Sequence, residues 1–219
     1  MMPDKPKNLY FDDPYVREFS TRVAAVDGNM VELEDTYFFP QSGGQTGDTG
    51  TIGGERVVNV VAEGGRILHV MESVASLHVG DSVKCSIDWD RRYRKMRLHS
   101  ASHIVYYLMR EVFGEGCGIA SSGLLDENKE RSDYLFSVPL DKAKLKEVED
   151  RANALIAEGH DIKAYRDPAD PALLTWELGP WKMNCCGTHP KNTREIGRIK
   201  LTRGKKPGKG RERIEISLA

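Results

Sequence analysis

The sequence predicts an α+β protein in two parts: a small, barrel-like β domain over residues 1–89, then an α+β domain over residues 90–219 with helices packed on an antiparallel sheet. Three observations carry this. Up to Trp89 the chain offers short β-prone runs at regular spacing, punctuated by glycine pairs and without a helical stretch between them. Beyond Trp89 come two long segments whose apolar residues recur three and four apart. Further short β-prone runs lie between and after those segments, the mixture that results when helices cover a sheet.

Residues 1 to about 18 are polar, with prolines and a few aromatics, and read as an arm leading into the first strand. Thr21 to Val26 and Met30 to Leu33 form a hairpin about the turn signal Asp27-Gly28-Asn29. Gly53-Gly54 and Gly64-Gly65 bracket a strand from Arg56 to Val61, and strands from Arg66 to Met71 and Val83 to Ile87 complete the series. The glycine-rich segment Ser42 to Gly50, taken alone, reads as a surface loop, because glycines state only a need for positive φ or close backbone approach.

From Asp90 the pattern changes. The basic run Arg91-Arg92-Tyr93-Arg94-Lys95-Met96-Arg97 leads into a helix with Ile104, Tyr107, Leu108 and Val112 on one side, stopped by Gly114. Ile119-Ala120 and Tyr134 to Val138 read as strands. Asp141 is a good N-cap for a second helix carrying Leu145, Val148, Ala152, Leu155 and Ile156, and Gly159 ends it. A strand near Ile162 to Tyr165 is followed by a Pro-rich connection from Asp167 to Pro171. Two final strands, Arg198 to Thr202 and Arg213 to Leu218, flank the loop Gly204-Lys205-Lys206-Pro207-Gly208-Lys209-Gly210, which reads as a mobile hairpin.

Composition narrows the class. With 219 residues, 30% charged and 39% hydrophobic, the chain can bury a core and resembles an ordinary globular protein. Its start lacks the apolar core of a secretion signal and no run approaches a membrane span, so the expected location is cytoplasmic, with no membrane partner. Four irregularly spaced cysteines fit a reducing compartment better than a disulfide framework. A net charge of -1 excludes a global electrostatic argument for nucleic acid, so any such surface is a local patch.

Two short motifs carry chemistry. His99 and His103 stand four apart at the head of the first helix, so both imidazoles share one face. Far downstream, Asn184-Cys185-Cys186-Gly187-Thr188-His189-Pro190 places a thiol and a further imidazole close together around a glycine. Either motif alone is as well explained by satisfied core or surface side chains. Together they make a nitrogen and sulfur ligand set suited to Zn²⁺. A Glu after His99 would suggest a metalloprotease; Ser100 stands there and disfavours that chemistry.

These motifs, followed by Asn192-Thr193-Arg194-Glu195-Ile196-Gly197 and preceded by Phe38-Phe39-Pro40-Gln41-Ser42-Gly43-Gly44-Gln45-Thr46-Gly47-Asp48-Thr49-Gly50, resemble those of the free-standing alanyl-tRNA editing proteins of the AlaX type, relatives of the editing domain of alanyl-tRNA synthetase. The resemblance spans nearly the whole chain and implies an editing half without an aminoacylation region, acting in trans on tRNA(Ala) at its acceptor end, with no obligate protein partner. It implies hydrolysis of the ester that joins chiefly serine, and secondarily glycine, to tRNA(Ala), assisted by one Zn²⁺ held by His99, His103, Cys185 and His189. It also implies that Thr36, Ser42, Gly43, Gly44 and Gln45 face the substrate, with the Thr36 hydroxyl placed to pair with a seryl hydroxyl.

Several points stay open on sequence grounds. Ser100 and Ser102 are candidates for orienting groups and Asp133 matches an acidic position of the family, although a strand-end aspartate is an equal account. Arg91, Arg92, Arg94 and Lys95, with Lys205, Lys206 and Lys209, are candidate phosphate contacts or simply solvated charge. The chain departs from the family at Cys186, where glycine is usual; spacing favours Cys185 as ligand, with a Cys186 and His189 pairing as the alternative. Four tight ligands would close the zinc shell, so catalysis would need a fifth position, a released ligand, or a metal that only positions substrate. Two other readings remain: an RNA-binding module with a structural zinc, and a metallohydrolase for another aminoacyl-tRNA.

Overall fold

The computed structural model describes residues 7–136, 139–167 and 174–219. Residues 137–138 of the strand expected from Tyr134, and 168–171 of the Pro-rich connection, lie outside the described residues, as do residues 1–6 of the N-terminal arm. The chain divides into two compact units, one ending at Tyr93 and one starting at Arg94.

The first unit begins with the two-residue strand β1 (Lys7–Asn8), a 3₁₀ turn at Leu9–Phe11, then β2 (Glu18–Asp27), β3 (Met30–Leu33), β4 (Asp35–Thr36), β5 (Gly50–Ile52), β6 (Glu55–Glu63), β7 (Arg66–Met71) and β8 (Ser82–Ile87). Six of these close into an antiparallel barrel in the order β2-β3-β7-β6-β5-β8, and β1 pairs in parallel with β4. Closure removes the free edges that an open sheet of this size would expose. The expected strands are present, β2 starting earlier and β6 running longer than predicted, because each continues into the pairing that closes the barrel. The short β5 has no signal of its own: Gly50 lies so close to the Ser86 carbonyl that an added Cβ would approach it to 2.1 Å. Val23, Val31, Leu33, Phe38, Phe39, Ile52, Val57 and Val60 fill the interior.

Helix α1 (Trp89–Phe113) starts where Asp88 accepts from the Arg91 amide at 3.3 Å, and the unit boundary falls just after its first turn rather than ahead of it. In the second unit follow β9 (Cys117–Leu125), β10 (Lys129–Phe136), α2 (Lys142–Glu158), β11 (Lys163–Arg166), β12 (Leu174–Leu178), β13 (Trp181–Asn184), a 3₁₀ turn at Thr193–Ile196, β14 (Ile199–Arg203) and β15 (Arg211–Leu218). They build an antiparallel sheet β14-β15-β10-β9 and a three-stranded sheet β11-β12-β13. Asp141 caps α2 by accepting from the amides of Ala143 and Lys144, and Gly159 closes it at φ 83°.

The buried stripe of α1 runs through Leu98, Ala101, Ile104, Val105, Leu108 and Met109, with Tyr107 and Val112 at its margin. With Leu145, Val148, Ala152 and Ile156 of α2 and Ile199, Leu201, Ile214 and Ile216 of the sheet it forms one core. Among the described residues no helix is long and apolar enough to cross a membrane.

Candidate metal centre

The i and i+4 spacing on α1 stacks His99 and His103 with ring centroids 4.7 Å apart. β13 delivers the other half. The Cys185 amide donates to the Leu174 carbonyl at 2.8 Å, which anchors the strand end, and the turn that follows brings His189 back to within 4.5 Å of the His99 ring. Cys185 Sγ then lies 3.4 Å from His99 Nε2, 3.2 Å from His103 Nε2 and 3.1 Å from His189 Nε2. One ligand atom from each of the four residues falls within 4.8 Å of the others. Cys186 points to solvent and takes no part in the cluster.

The donor set suits a cation better than it suits itself. One thiol has one hydrogen, yet three imidazole nitrogens face the sulfur, which is only a weak acceptor. Ser100 Oγ stands 2.9 Å from His189 Nδ1, and a neutral ring that donates from Nδ1 turns the Nε2 lone pair into the cluster. The Gly187 amide adds a donor to Sγ at 3.4 Å. A tetrahedral zinc shell has sulfur–nitrogen edges of about 3.5 Å, so the four residues fit the ion after small outward shifts. Burial drives every member toward its neutral form, holding His99 down to about 4 and His103 and His189 well below the usual range. The same burial pushes the Cys185 thiol up to about 12, so metal uptake would release its proton.

Other expected residues are distributed differently. Ser102 donates to the His99 carbonyl at 2.8 Å, on its own helix. Asp133 grips Arg213 with both carboxylate oxygens, at 2.7 and 3.0 Å, and this pair holds its carboxyl below the usual range. The ion pair ties β10 to β15. Arg92 and Lys95 are fully buried, which removes them from any solvated cationic face. Arg92 pairs with Asp48 and donates to the carbonyls of Pro14 and Tyr37, because a guanidinium in a core needs several acceptors at once. Arg91 donates to the Gly47 carbonyl at 2.6 Å, and Arg94 is exposed with its Nε on the Glu127 carbonyl. Lys205, Lys206 and Lys209 are all exposed, and Lys206 pairs with Glu212 at 3.0 Å.

The glycine-rich segment is a built turn rather than a plain loop. Ser42 and Gln45 exchange backbone hydrogen bonds at 3.1 and 2.9 Å around Gly43 and Gly44, whose φ of 56° and 87° match a type I′ turn. Gln45 and Asp48 are buried behind it. Thr36 is fully buried and accepts from the Phe38 amide at 3.1 Å. Sequence reasoning passed over His69, which lies 3.0 Å from the Thr36 hydroxyl, and Trp176, whose ring packs 4.9 Å from that of His103. An isolated histidine or tryptophan in a strand carries no spacing signal.

Both units of the chain match synthetase-related families. Residues 12–91 match the family of class II (A) tRNA synthetases, and residues 177–215 match the second additional domain of threonyl and alanyl tRNA synthetases. The chain belongs to the AlaX-M family of alanyl-tRNA editing proteins. It is 35% identical to the Pyrococcus horikoshii member over 99% of this chain and 100% of that protein, and 36% identical to the Saccharolobus solfataricus member over 97% and 98%. It also matches the alanine–tRNA ligase of Ignicoccus hospitalis at 34% identity, over 96% of this chain but 26% of the ligase.

Proposed function

We propose that the protein is a trans-editing hydrolase that deacylates mischarged tRNA(Ala), chiefly seryl-tRNA(Ala) and also glycyl-tRNA(Ala). The observation that carries this is the convergence of His99, His103, Cys185 and His189 in a chain of the AlaX-M family. A synthetase pocket for a small apolar side chain cannot strongly reject a substrate that merely adds a hydroxyl, so accuracy needs a second, hydrolytic sieve.

Zinc bound at the cluster would polarise the ester carbonyl and lower the pKa of water. The chain's own residues set the geometry. His99 and His103 present two nitrogens from one helix face, Cys185 and His189 complete the shell, and Ser100 holds the His189 ring. Thr36, with Gln45 and the Ser42-Gly43-Gly44 turn, is assigned to the aminoacyl group, a hydroxyl that rewards serine and gains nothing from an alanyl methyl. Exposed Arg94, Lys205 and Lys209 are assigned to tRNA phosphates, with the acceptor end as the recognised part and the cytoplasm as the place of action.

A second reading, an RNA-binding module with a structural zinc, is favoured by the count of four ligands, which leaves no open position. The discriminating experiment is hydrolysis by the purified protein of seryl-, glycyl- and alanyl-tRNA(Ala) beside seryl-tRNA(Ser). Clearance of the mischarged tRNA(Ala) species alone is expected; clearance of none by zinc-loaded protein would favour the second reading.

A further inference from the structure

Inside the barrel unit a buried chain of hydrogen bonds ends on Thr36. His69 Nδ1 lies 2.9 Å from the Val31 carbonyl oxygen, and His69 Nε2 lies 3.0 Å from Thr36 Oγ1. Both side chains are fully buried, and the imidazole stacks edge-on against Phe38 with centroids 5.2 Å apart. The direction of every proton in this chain follows from chemistry. A carbonyl oxygen only accepts, so Nδ1 carries the hydrogen. A neutral ring then has a bare lone pair on Nε2, which requires the Thr36 hydroxyl to donate to it. The Phe38 amide donates to Oγ1 at 3.1 Å and occupies one of its two lone pairs.

We infer that His69 is a positioning residue for amino-acid selection: by taking the Thr36 proton it leaves that hydroxyl able only to accept, through one remaining lone pair. This rests on the reading that Thr36 meets the aminoacyl side chain. A side chain that places a hydroxyl donor there is satisfied. An alanyl methyl is not, and neither is an O-methylated serine, which is polar but has no proton to give. Thr36 has no exposed surface and its hydroxyl is held by His69 and the Phe38 amide, so any group that meets it does so out of water, where one unmatched polar group discriminates most.

Three variants separate the possibilities, each compared by the ratio of seryl- to glycyl-tRNA(Ala) hydrolysis. His69→Leu frees the Thr36 proton and should lower that ratio by about tenfold or more. His69→Gln, whose amide can donate to Val31 and accept from Thr36, should restore most of it. Thr36→Val should lower the ratio as His69→Leu does. If Thr36→Val lowers the ratio and His69→Leu leaves it unchanged, the inference fails while the substrate reading stands. An unchanged ratio in Thr36→Val sinks both. Should His69→Leu not fold, nitrogen NMR of wild-type His69 decides, since it must show a neutral ring protonated at Nδ1; a ring protonated at Nε2 would overturn the inference.

Discussion

Both units bury polar side chains, and they do so in opposite ways. Among the described residues of the barrel unit, buried polar side chains are paired donor to acceptor: Asp48 accepts from the Phe39 amide and from Arg92, and His69 sits between the Val31 carbonyl and Thr36. In the second unit three imidazole Nε2 atoms instead converge on one sulfur, a weak acceptor, where a cation would take all four. Buried polar groups paired donor to acceptor hold a fold; electron-pair donors gathered on one point form a site for a cation. This contrast separates structure from chemistry more sharply than burial or charge alone.

The largest effect should come from breaking the second arrangement. His99→Ala or Cys185→Ala is expected to lose zinc, measured as metal per chain, and to lower deacylation by at least about a hundredfold. The Cys186→Ala variant, at a side chain outside the cluster, should keep its zinc. Next in size is the barrel's ion pair. Asp48→Ala leaves the Arg92 charge fully buried without its carboxylate and should cost about 3–5 kcal/mol in denaturant unfolding. Removing the serine that supports the metal ligand is a smaller change: Ser100→Ala should weaken zinc binding by about 10–100-fold in a chelator competition while the protein stays folded.

Glu130, a buried group of the second unit outside the cluster, adds a pH dependence. Burial raises the Glu130 carboxyl to about 7, opposed by the hydroxyl of Ser132, and its second oxygen has no partner among the described residues. The folded state therefore holds this proton more tightly than the unfolded chain. The stability it contributes is complete below the ordinary carboxyl range and is lost as pH rises through about 7. Thermal unfolding followed from pH 5 to 8 should show this loss, on the order of 1–3 kcal/mol, and Glu130→Gln should flatten it. A profile unchanged by that substitution would mean that the proton is lost elsewhere.

What was legible in the sequence was local. The i and i+4 histidines, the Cys185 to His189 spacing, the Asp141 cap and the glycine-bracketed barrel strands each depend on neighbours within a few residues, and the structure has them. Asn192 and Glu195 form a capping box about the turn at Thr193–Ile196, a signature that was readable but not used. What was not legible is long-range. Arg92 and Lys95 read as solvated because charge usually is, yet the acceptor that buries Arg92 lies 44 residues away. Lys206 is spent on Glu212, and Asp133 on an arginine 80 residues distant. His69 gave no signal because its meaning depends on Val31 and Thr36, which only barrel closure brings to it.

The most direct test of the central claim is the rate of seryl-tRNA(Ala) deacylation by chelator-treated protein that remains folded by circular dichroism, before and after one equivalent of zinc. The stripped protein is expected to be inactive, and a single equivalent of zinc to restore the rate. Full activity in the stripped, folded protein would contradict the claim, and the four convergent side chains would then serve the fold rather than the reaction.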